Sequence, residues 1–379
     1  MGAESFDYVI VGAGIAGASV GYFLAPHARV LLLERESQPG YHSTGRSAAA
    51  YVESYGPPQV RALTRASGSF LKTPPQGFTD HPVLTPRATM LVGSPGQEAD
   101  MQALYDELRE ASDQVVLMSA DEVCKRVPVF KPEQVIGAVL DPGSSDIDVD
   151  SLHQGYLKGF RQAGGELRCN ADVTTLERRE DSWIIHTANQ SVSTPVVINA
   201  AGAWGDELAN KAGVAPISLQ PKRRSAFVFQ PPEQIDFADW PLTVGVGEDW
   251  YIKPESGLLL GSPANADNCA PQDVQPEELD IALGIDRIQS MTQLTIRRPE
   301  RTWAGLRTFA PDGCLVGGFD EQVSGFFWLV AQGGYGIQTS AAMGEACASL
   351  VRGQAVPEHL AQHGINAQLL GPARLSQPS

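Results

Sequence analysis

The stretch Phe6-Asp7-Tyr8-Val9-Ile10-Val11-Gly12-Ala13-Gly14-Ile15-Ala16-Gly17 decides how this chain begins to fold. Residues 6–11 read as a buried strand, and a G-x-G-x-x-G turn follows at once. A helical pattern runs on to about Leu24, and residues 28–33 form a second apolar strand that ends at Glu34. This is a βαβ unit with an acid 22 residues after the first glycine. Each part has a mechanical task. Gly12 permits the tight turn, Gly14 lets the backbone approach a pyrophosphate, and Gly17 lets helix and strand pack closely. The helix start offers free N–H groups and a positive dipole end to phosphates. Glu34 is placed to accept hydrogen bonds from an adenosine ribose and would repel a 2′-phosphate. The unit therefore predicts a bound dinucleotide, with Ile15, Ala16 and Arg35 beside the motif residues.

The rest of the chain narrows the class. Its 379 residues suggest two domains and suffice for a large core. A net charge of −16 argues against nucleic acid or an anionic membrane as partner and suits solubility. No run of 18 apolar residues is present, so no transmembrane segment is expected. The first residues lead straight into a strand without the basic start of a signal peptide. Cys124, Cys169, Cys269, Cys314 and Cys347 are far apart and form no C-x-x-C, which predicts reduced thiols and a cytoplasmic setting. His359 and His363 lie four apart, but Leu360 stands where a zinc hydrolase needs glutamate. No metal site is expected.

Nucleotide-binding features recur along the chain. Val196-Val197-Ile198-Asn199-Ala200-Ala201-Gly202 is again an apolar strand running into small residues. The end offers a strand at 326–331, then Gln332-Gly333-Gly334-Tyr335-Gly336, then a helix from about Ile337 to Arg352. Between these lies a β-rich middle, with strand-like runs at 225–229, 250–252 and 258–260. A nicotinamide enzyme needs only one contiguous Rossmann domain. FAD is long and lies extended across its fold, so it recruits distant segments. The terminal glycine segment then has a use, because a helix start there stabilises negative charge on a reduced flavin. The expected fold is α/β: a two-dinucleotide-binding, Rossmann-like FAD domain (1–85, 146–218 and 306–379) with an inserted α+β substrate domain on an antiparallel sheet (86–145 and 219–305).

Several blocks are more specific than the glycine motif. They are Tyr41-His42-Ser43-Thr44-Gly45-Arg46-Ser47-Ala48, Leu219-Gln220-Pro221-Lys222-Arg223-Arg224-Ser225-Ala226-Phe227 and Leu260-Gly261-Ser262-Pro263-Ala264-Asn265-Ala266-Asp267. Segments 295–300, 303–307 and 331–345 join them. With these, the chain resembles the D-amino acid oxidase-like family of FAD oxidoreductases from residue 6 to about 369. Within that family it is most similar to the bacterial FAD-dependent D-arginine dehydrogenases. The resemblance implies that Ser43, Thr44, Gly45, Arg46, Ser47, Ala48 and Ala49 wrap the flavin and ribityl chain. It implies that Val173 touches the adenine side, that Ala201, Gly202 and Trp204 line the FAD, and that Gly334, Tyr335, Gly336, Ile337 and Gln338 contact the isoalloxazine. Sarcosine oxidases of this family bond the flavin through a cysteine. Gly305 takes that position here and Cys314 is out of register, which implies noncovalent FAD.

Oxidation of an amine by flavin needs a neutral amine, a Cα–H bond aimed at N5 and a fixed carboxylate. An arginine that donates two parallel hydrogen bonds is the natural carboxylate anchor. Arg307 is the first candidate, since it follows the glycine-containing turn after Trp303 and precedes the terminal cofactor segment. Arg224 is the second, and Tyr251 can add a hydroxyl to the same carboxylate. The resemblance gives all three that role. It places Tyr55 on the substrate side of a mobile loop, for which Gly56-Pro57-Pro58 suits a hinge.

Two positions depart from the D-arginine enzymes. Thr89 stands where they carry a glutamate that pairs with the substrate guanidinium, and Ala50 stands where they carry an active-site histidine. With Gly334, these positions form the expected side-chain pocket. Loss of the glutamate predicts a neutral, bulkier side chain rather than arginine. The expected activity is oxidative deamination of a D-amino acid to an imino acid, which hydrolyses to a 2-oxo acid and ammonia. Two alternatives stand beside it: oxidation of a secondary amine such as an N-alkyl glycine or cyclic imino acid, and a cofactor-holding subunit with little activity alone. The electron acceptor is open among a quinone, a dye-like acceptor and oxygen.

Overall fold

The computed structural model describes residues 3–376. The opening residues divide between two sheets. Glu4–Ser5 pairs with Ser191–Thr194 in a four-stranded sheet, and Tyr8–Val11 enters a six-stranded one. The break falls at Phe6 and Asp7, because an Asp7 carboxylate oxygen accepts from the Arg29 amide at 2.7 Å and the chain turns there.

In the six-stranded sheet the order is Glu166–Arg168, Val30–Leu33, Tyr8–Val11, Val196–Asn199, Phe326–Val330 and Val316–Phe319. Neighbours are parallel up to the final pair, which is antiparallel. The sheet thus gathers segments from the start, middle and end of the chain. Side chains alternate across it, as the two-residue strand period demands. Ile10, Leu32, Ile198 and Phe327 face a helical layer. Val9, Val11, Leu31, Leu33 and Trp328 face the four-stranded sheet, where Leu176, Trp183 and Ile185 meet them. Both faces are covered at the centre of the sheet, which is why strands Val30–Leu33, Tyr8–Val11 and Phe326–Val330 are apolar. Each such side chain contributes about 1.5–3 kcal/mol by burial.

Helix Ile15–Leu24 sits close between two others because small residues stand at the crossings. A Cβ on Gly344, in helix Ser340–Val351, would lie 2.8 Å from the Ser19 Cβ. A Cβ on Gly159, in helix Val149–Gln162, would lie 2.3 Å from the Tyr22 ring. Close helix approach fixes where the glycine turn at the head of Ile15–Leu24 points.

The largest sheet has nine strands. Toward one edge Gln220–Phe229 pairs antiparallel with Arg301–Phe309 on one side and with Leu258–Ser262 and Asp267–Asn268 on the other. Tyr251–Glu255, Leu242–Gly245, Thr89–Gly93, Gly137–Asp141 and Val116–Ser119 continue it. The antiparallel expectation needs one amendment, since Leu242–Gly245 runs parallel to Thr89–Gly93. A long excursion through other elements separates these two strands in sequence, so no hairpin forces them antiparallel. Arg301–Phe309 is one continuous strand that runs through positions 305 and 306 and brings Arg307 toward the six-stranded sheet. The terminal helix begins at Ser340, three residues later than the sequence reading, because residues 332–339 are spent on turns. Gly333 there has φ +55°, and the Thr339 hydroxyl donates to the Tyr335 carbonyl at 2.9 Å. Among the described residues no helix is long and apolar enough to cross a membrane.

Candidate active site

Gly12 has φ +104°, and a Cβ there would stand 2.4 Å from the Ala200 carbonyl oxygen. Only glycine meets both constraints. The turn leads to Gly14, which precedes the first residue of helix Ile15–Leu24. Glu34 is buried and spans the turn: its carboxylate accepts from the Ala13 amide at 2.9 Å and the Glu36 amide at 3.0 Å. Each carboxylate oxygen keeps a further lone pair for a ligand. Gly12, Gly14, Ile15, Ala16, Glu34, Arg35, Val173, Ala201, Gly202 and Trp204 all line one cavity of about 180 Å³. At its outer end the Arg35 guanidinium lies 3.9 Å over the Trp204 ring, and the His42 ring packs 4.7 Å from the same ring.

A second cavity of about 540 Å³ shares Ile15, Ser43, Thr44, Leu306, Gln332 and Gly333 with the first, so the two form one elongated space. Segment 41–48 is fastened along it. The Ser43 hydroxyl donates to the Leu306 carbonyl at 2.7 Å, and the Trp303 indole N–H donates to the Arg46 carbonyl at 3.1 Å. Strand register then decides which residues face inward. Arg224 lies opposite Gly305, Ala226 opposite Trp303, and Lys222 opposite Arg307. The period-two alternation puts Arg224, Ala226, Trp303, Gly305 and Arg307 on the cavity face. Gly334 runs directly behind Arg307; a Cβ there would lie 2.8 Å from the guanidinium carbon.

The two arginines form the electrostatic feature of this cavity. Among the described residues neither makes a salt bridge, although both are half-buried. Burial and the neighbouring Arg307 push the Arg224 pKa down. Burial also opposes the charge on Arg307, but the phenol oxygens of Tyr55 and Tyr251 outweigh it and move its pKa up. Two enclosed positive charges without a carboxylate call for an anion. Tyr55, Tyr251 and Tyr335 line the same wall, and Tyr55 and Tyr335 pack edge to face at 5.3 Å. Burial pushes the Tyr335 phenol up to about 12, so it stays neutral.

Beyond the arginines the chamber is mainly apolar, with Leu91, Leu104, Leu108, Leu242 and Val244 in its wall beside Ala50 and Thr89. Two acids line it. Glu107 is exposed and paired with Arg61 at 2.9 Å, and Glu248 is exposed on a hairpin. Two polar atoms in this wall are buried without a partner: the Thr89 hydroxyl and the Gln338 amide nitrogen. An unpaired buried polar group costs about 1–3 kcal/mol, so each is a candidate ligand contact.

The model of the family "DAO: FAD dependent oxidoreductase" matches residues 7–350. The chain belongs to this family. Monomeric sarcosine oxidase from Bacillus sp. (strain B-0618) is 26% identical over 268 residues, 68% of each chain. Glycine oxidase from Geobacillus kaustophilus superposes with a TM-score of 0.81 at 20% identity, covering 93% of this chain and 95% of the other. Reduced L-alpha-glycerophosphate oxidase from Mycoplasma pneumoniae, with FAD bound, superposes with a TM-score of 0.82 at 18% identity, covering 92% and 95%. The DAO-family protein is an FAD-dependent oxidoreductase with a Rossmann-like cofactor fold.

The residues present fit that cofactor. The glycine cradle admits a backbone approach that a Cβ would block, the elongated space reaches both ends of the molecule, and the Gln338 amide nitrogen waits unpaired at the inner end. Two expectations for the DAO-family protein need correction, at Gly45 and at the Ile15 amide. Gly17 lines neither cavity and has the packing role expected of it, since its Cβ would lie 1.9 Å from the Gly12 carbonyl oxygen. Gly45 also lines neither, because its amide donates to the Gly40 carbonyl at 2.8 Å and closes the loop from behind. Arg46 lines the substrate-side cavity, with its guanidinium held by Asp273 and the Val274 carbonyl. The Ile15 amide is not free, since it donates to the Thr44 hydroxyl at 3.0 Å. The late start of helix Ser340–Val351 has a further effect: Ile337 and Gln338 line the cavity and Ser340 does not, so a side-chain amide faces the inner end. Of the expected site residues, Ser47, Ala48, Ala49 and Gly336 also line the substrate-side cavity. No cysteine lines either cavity.

Sequence reasoning missed His153 of the DAO-family protein. This buried residue of helix Val149–Gln162 lies 2.9 Å, through Nε2, from the Ala13 carbonyl inside the glycine turn, and the neutral ring with Nε2–H donates there. Burial lowers its pKa below the ordinary 6.5, against the smaller pull of that hydrogen bond. The folded state therefore prefers the neutral ring. Its contribution to stability is complete above pH 6.5 and is lost as pH falls through the lowered folded value. We predict that the thermal midpoint and FAD affinity fall more steeply below pH 6.5 in wild type than in His153→Gln, measured by melting curves at a series of pH values. Parallel curves would remove His153 from the support of the turn.

Proposed function

We propose that the protein oxidatively deaminates a D-amino acid with a neutral, bulky side chain, using noncovalent FAD. The observation that carries this reading is the pair Arg224 and Arg307, which line one cavity without a carboxylate partner among the described residues. A substrate carboxylate supplies the missing charge, with Tyr251 and Tyr55 adding hydroxyls. The rest of the clamp follows from charge. Two guanidiniums against one carboxylate leave a positive excess, which favours the neutral form of the substrate amine. Tyr335 and Gly334 close the wall behind Arg307, so the Cα–H direction is fixed by the same contacts that hold the carboxylate. FAD, when bound, accepts the hydride from Cα at N5. The resulting imino acid takes up water and releases ammonia, giving the 2-oxo acid. The absence of a thiol at Gly305 supports a noncovalent cofactor.

The side-chain assignment rests on the chamber wall. Neither of its acids is both buried and unpaired, so a cationic substrate finds no desolvated counter-charge. Its leucines and valine suit an apolar group. The D preference follows the resemblance to D-arginine dehydrogenases.

The test is anaerobic bleaching of the flavin by a panel of D- and L-amino acids, N-methyl amino acids and 2-hydroxy acids, followed by admission of oxygen. Neutral D-amino acids are expected to bleach it fastest. Equal reduction by D-arginine removes the side-chain assignment. Reduction by N-alkyl or cyclic substrates alone would favour the secondary-amine reading, and no reduction at all a cofactor-holding role. Reoxidation by air would separate an oxidase from a dehydrogenase that uses a quinone or dye-like acceptor.

A further inference from the structure

Arg224 enters the cavity from one face of strand Gln220–Phe229, and the residues on either side of it are held on the other face. One oxygen of Asp280, in helix Glu278–Met291, accepts three hydrogen bonds: from Arg223 Nε at 2.9 Å, the Ser225 hydroxyl at 2.8 Å and Asn265 Nδ2 at 3.0 Å. Asp280 is buried. Asn265 in turn accepts from the Ser225 amide at 2.8 Å through Oδ1, and its backbone carbonyl accepts from Arg224 Nε at 2.6 Å. The preceding Ala264 has φ +50°, a conformation non-glycine residues adopt only when neighbours enforce it. Here the Ala264 amide donates to the Ser262 hydroxyl at 3.0 Å, and that hydroxyl donates to the Ser225 carbonyl at 2.6 Å.

We propose that Asp280 and Asn265 are positioning residues that set the direction of Arg224 toward the substrate carboxylate. Arg224 Nε is tied to Asn265, which leaves the two terminal nitrogens to form a fork toward the cavity. The Asn265 carbonyl can hold that place only while its side chain is gripped by Asp280, by Asp267, which accepts from Nδ2 at 2.7 Å, and by Ser225. Neither residue lines the cavity. Their effect is therefore transmitted through the backbone and the guanidinium, and it bears on carboxylate binding more than on the chemical step. This inference rests on the reading that Arg224 receives a substrate carboxylate.

The test uses the FAD-loaded protein and a simple monocarboxylate, propionate, whose binding is read from the flavin absorbance. Asn265→Asp keeps an acceptor for the Ser225 amide but sets a carboxylate against Asp280. It is expected to weaken propionate binding and raise the amino-acid KM by about tenfold, with kcat changed by less than about threefold, as loss of one or two supporting hydrogen bonds predicts. If Asn265→Asp does not fold, Asn265→Ala removes all three side-chain bonds of Asn265 without adding charge and carries the same expectation. Propionate affinity unchanged in the folded variants overturns the proposal. So does a loss matched by an equal loss of bound FAD. Wild-type protein that binds no monocarboxylate overturns the carboxylate clamp itself, and the positioning role with it.

Discussion

Replacing Arg307 by Met is expected to lower kcat/KM for the amino-acid substrate by a factor of roughly 30 to 4,000. The range follows from the cost of truncating one member of a desolvated charge pair, about 2–5 kcal/mol. Methionine keeps much of the volume and removes the charge and the fork. The substrate carboxylate then retains Arg224 and the tyrosine hydroxyls alone. KM rises because the lost contact exists in the bound ground state, and kcat falls because the Cα–H direction is set by the same contact. Stability moves the other way. Arg307 is enclosed beside another guanidinium, and burial and Arg307 together already push the Arg224 pKa down. Removing that repulsion is expected to leave the thermal midpoint equal to wild type or higher. Arg307→Lys, which keeps the charge and loses the planar fork, is expected to fall between the two. Steady-state kinetics with melting curves decides the matter: unchanged kinetics takes Arg307 out of the site, and a collapse of FAD content makes its role structural.

The second large effect is a gain. Thr89→Glu is expected to raise kcat/KM for D-arginine and D-lysine by about tenfold or more, and to lower it for neutral substrates. Thr89 lies buried in the chamber wall with an unpaired hydroxyl, on strand Thr89–Gly93 beside Leu242–Gly245. A carboxylate at this depth lies in a mainly apolar wall, and burial raises its pKa. A cationic side chain entering the chamber ionises it and forms a pair worth about 2–5 kcal/mol relative to one partner alone. The gain on D-lysine is therefore expected to grow as pH rises through the titration of the new acid. Kinetics on D-arginine, D-lysine and a neutral D-amino acid across pH checks this. An unchanged ratio among them would move the side-chain pocket away from Thr89.

Much of the cofactor half was legible because its signals are local. Gly12, Gly14 and Glu34 lie within one βαβ unit, and steric demands at each glycine are met by near neighbours or by the adjoining strand. The same directness misled at Gly45, which reads as a ligand contact yet is small to admit the Gly40 carbonyl. The Ile15 amide was misread for a related reason: Thr44, which occupies it, is 29 residues away. His153 left no local signal at all, since its partner is 140 residues distant.

The substrate half depended on register. Lys222-Arg223-Arg224 is a basic run in which sequence cannot say which side chain faces a ligand. Pairing with Arg301–Phe309 turns Arg224 and Arg307 to one face, and turns Arg223 to the other, where Asp280 holds it. Glu248, Arg61 and Glu107 join the cavity wall from three further segments that carry no motif. Glu248 sits at φ +49° on a hairpin with glycines nearby, the one hint that this loop is shaped for a purpose.

By itself the sequence determined the βαβ start, the scattered cofactor segments and hence the family, because steric and periodic constraints act over a few residues. Only the tertiary structure decided that two arginines 83 positions apart share one enclosed space without a counter-ion, and that the acids around it are paired or exposed. Charge compensation depends on distance and desolvation, and both are set by how distant strands align.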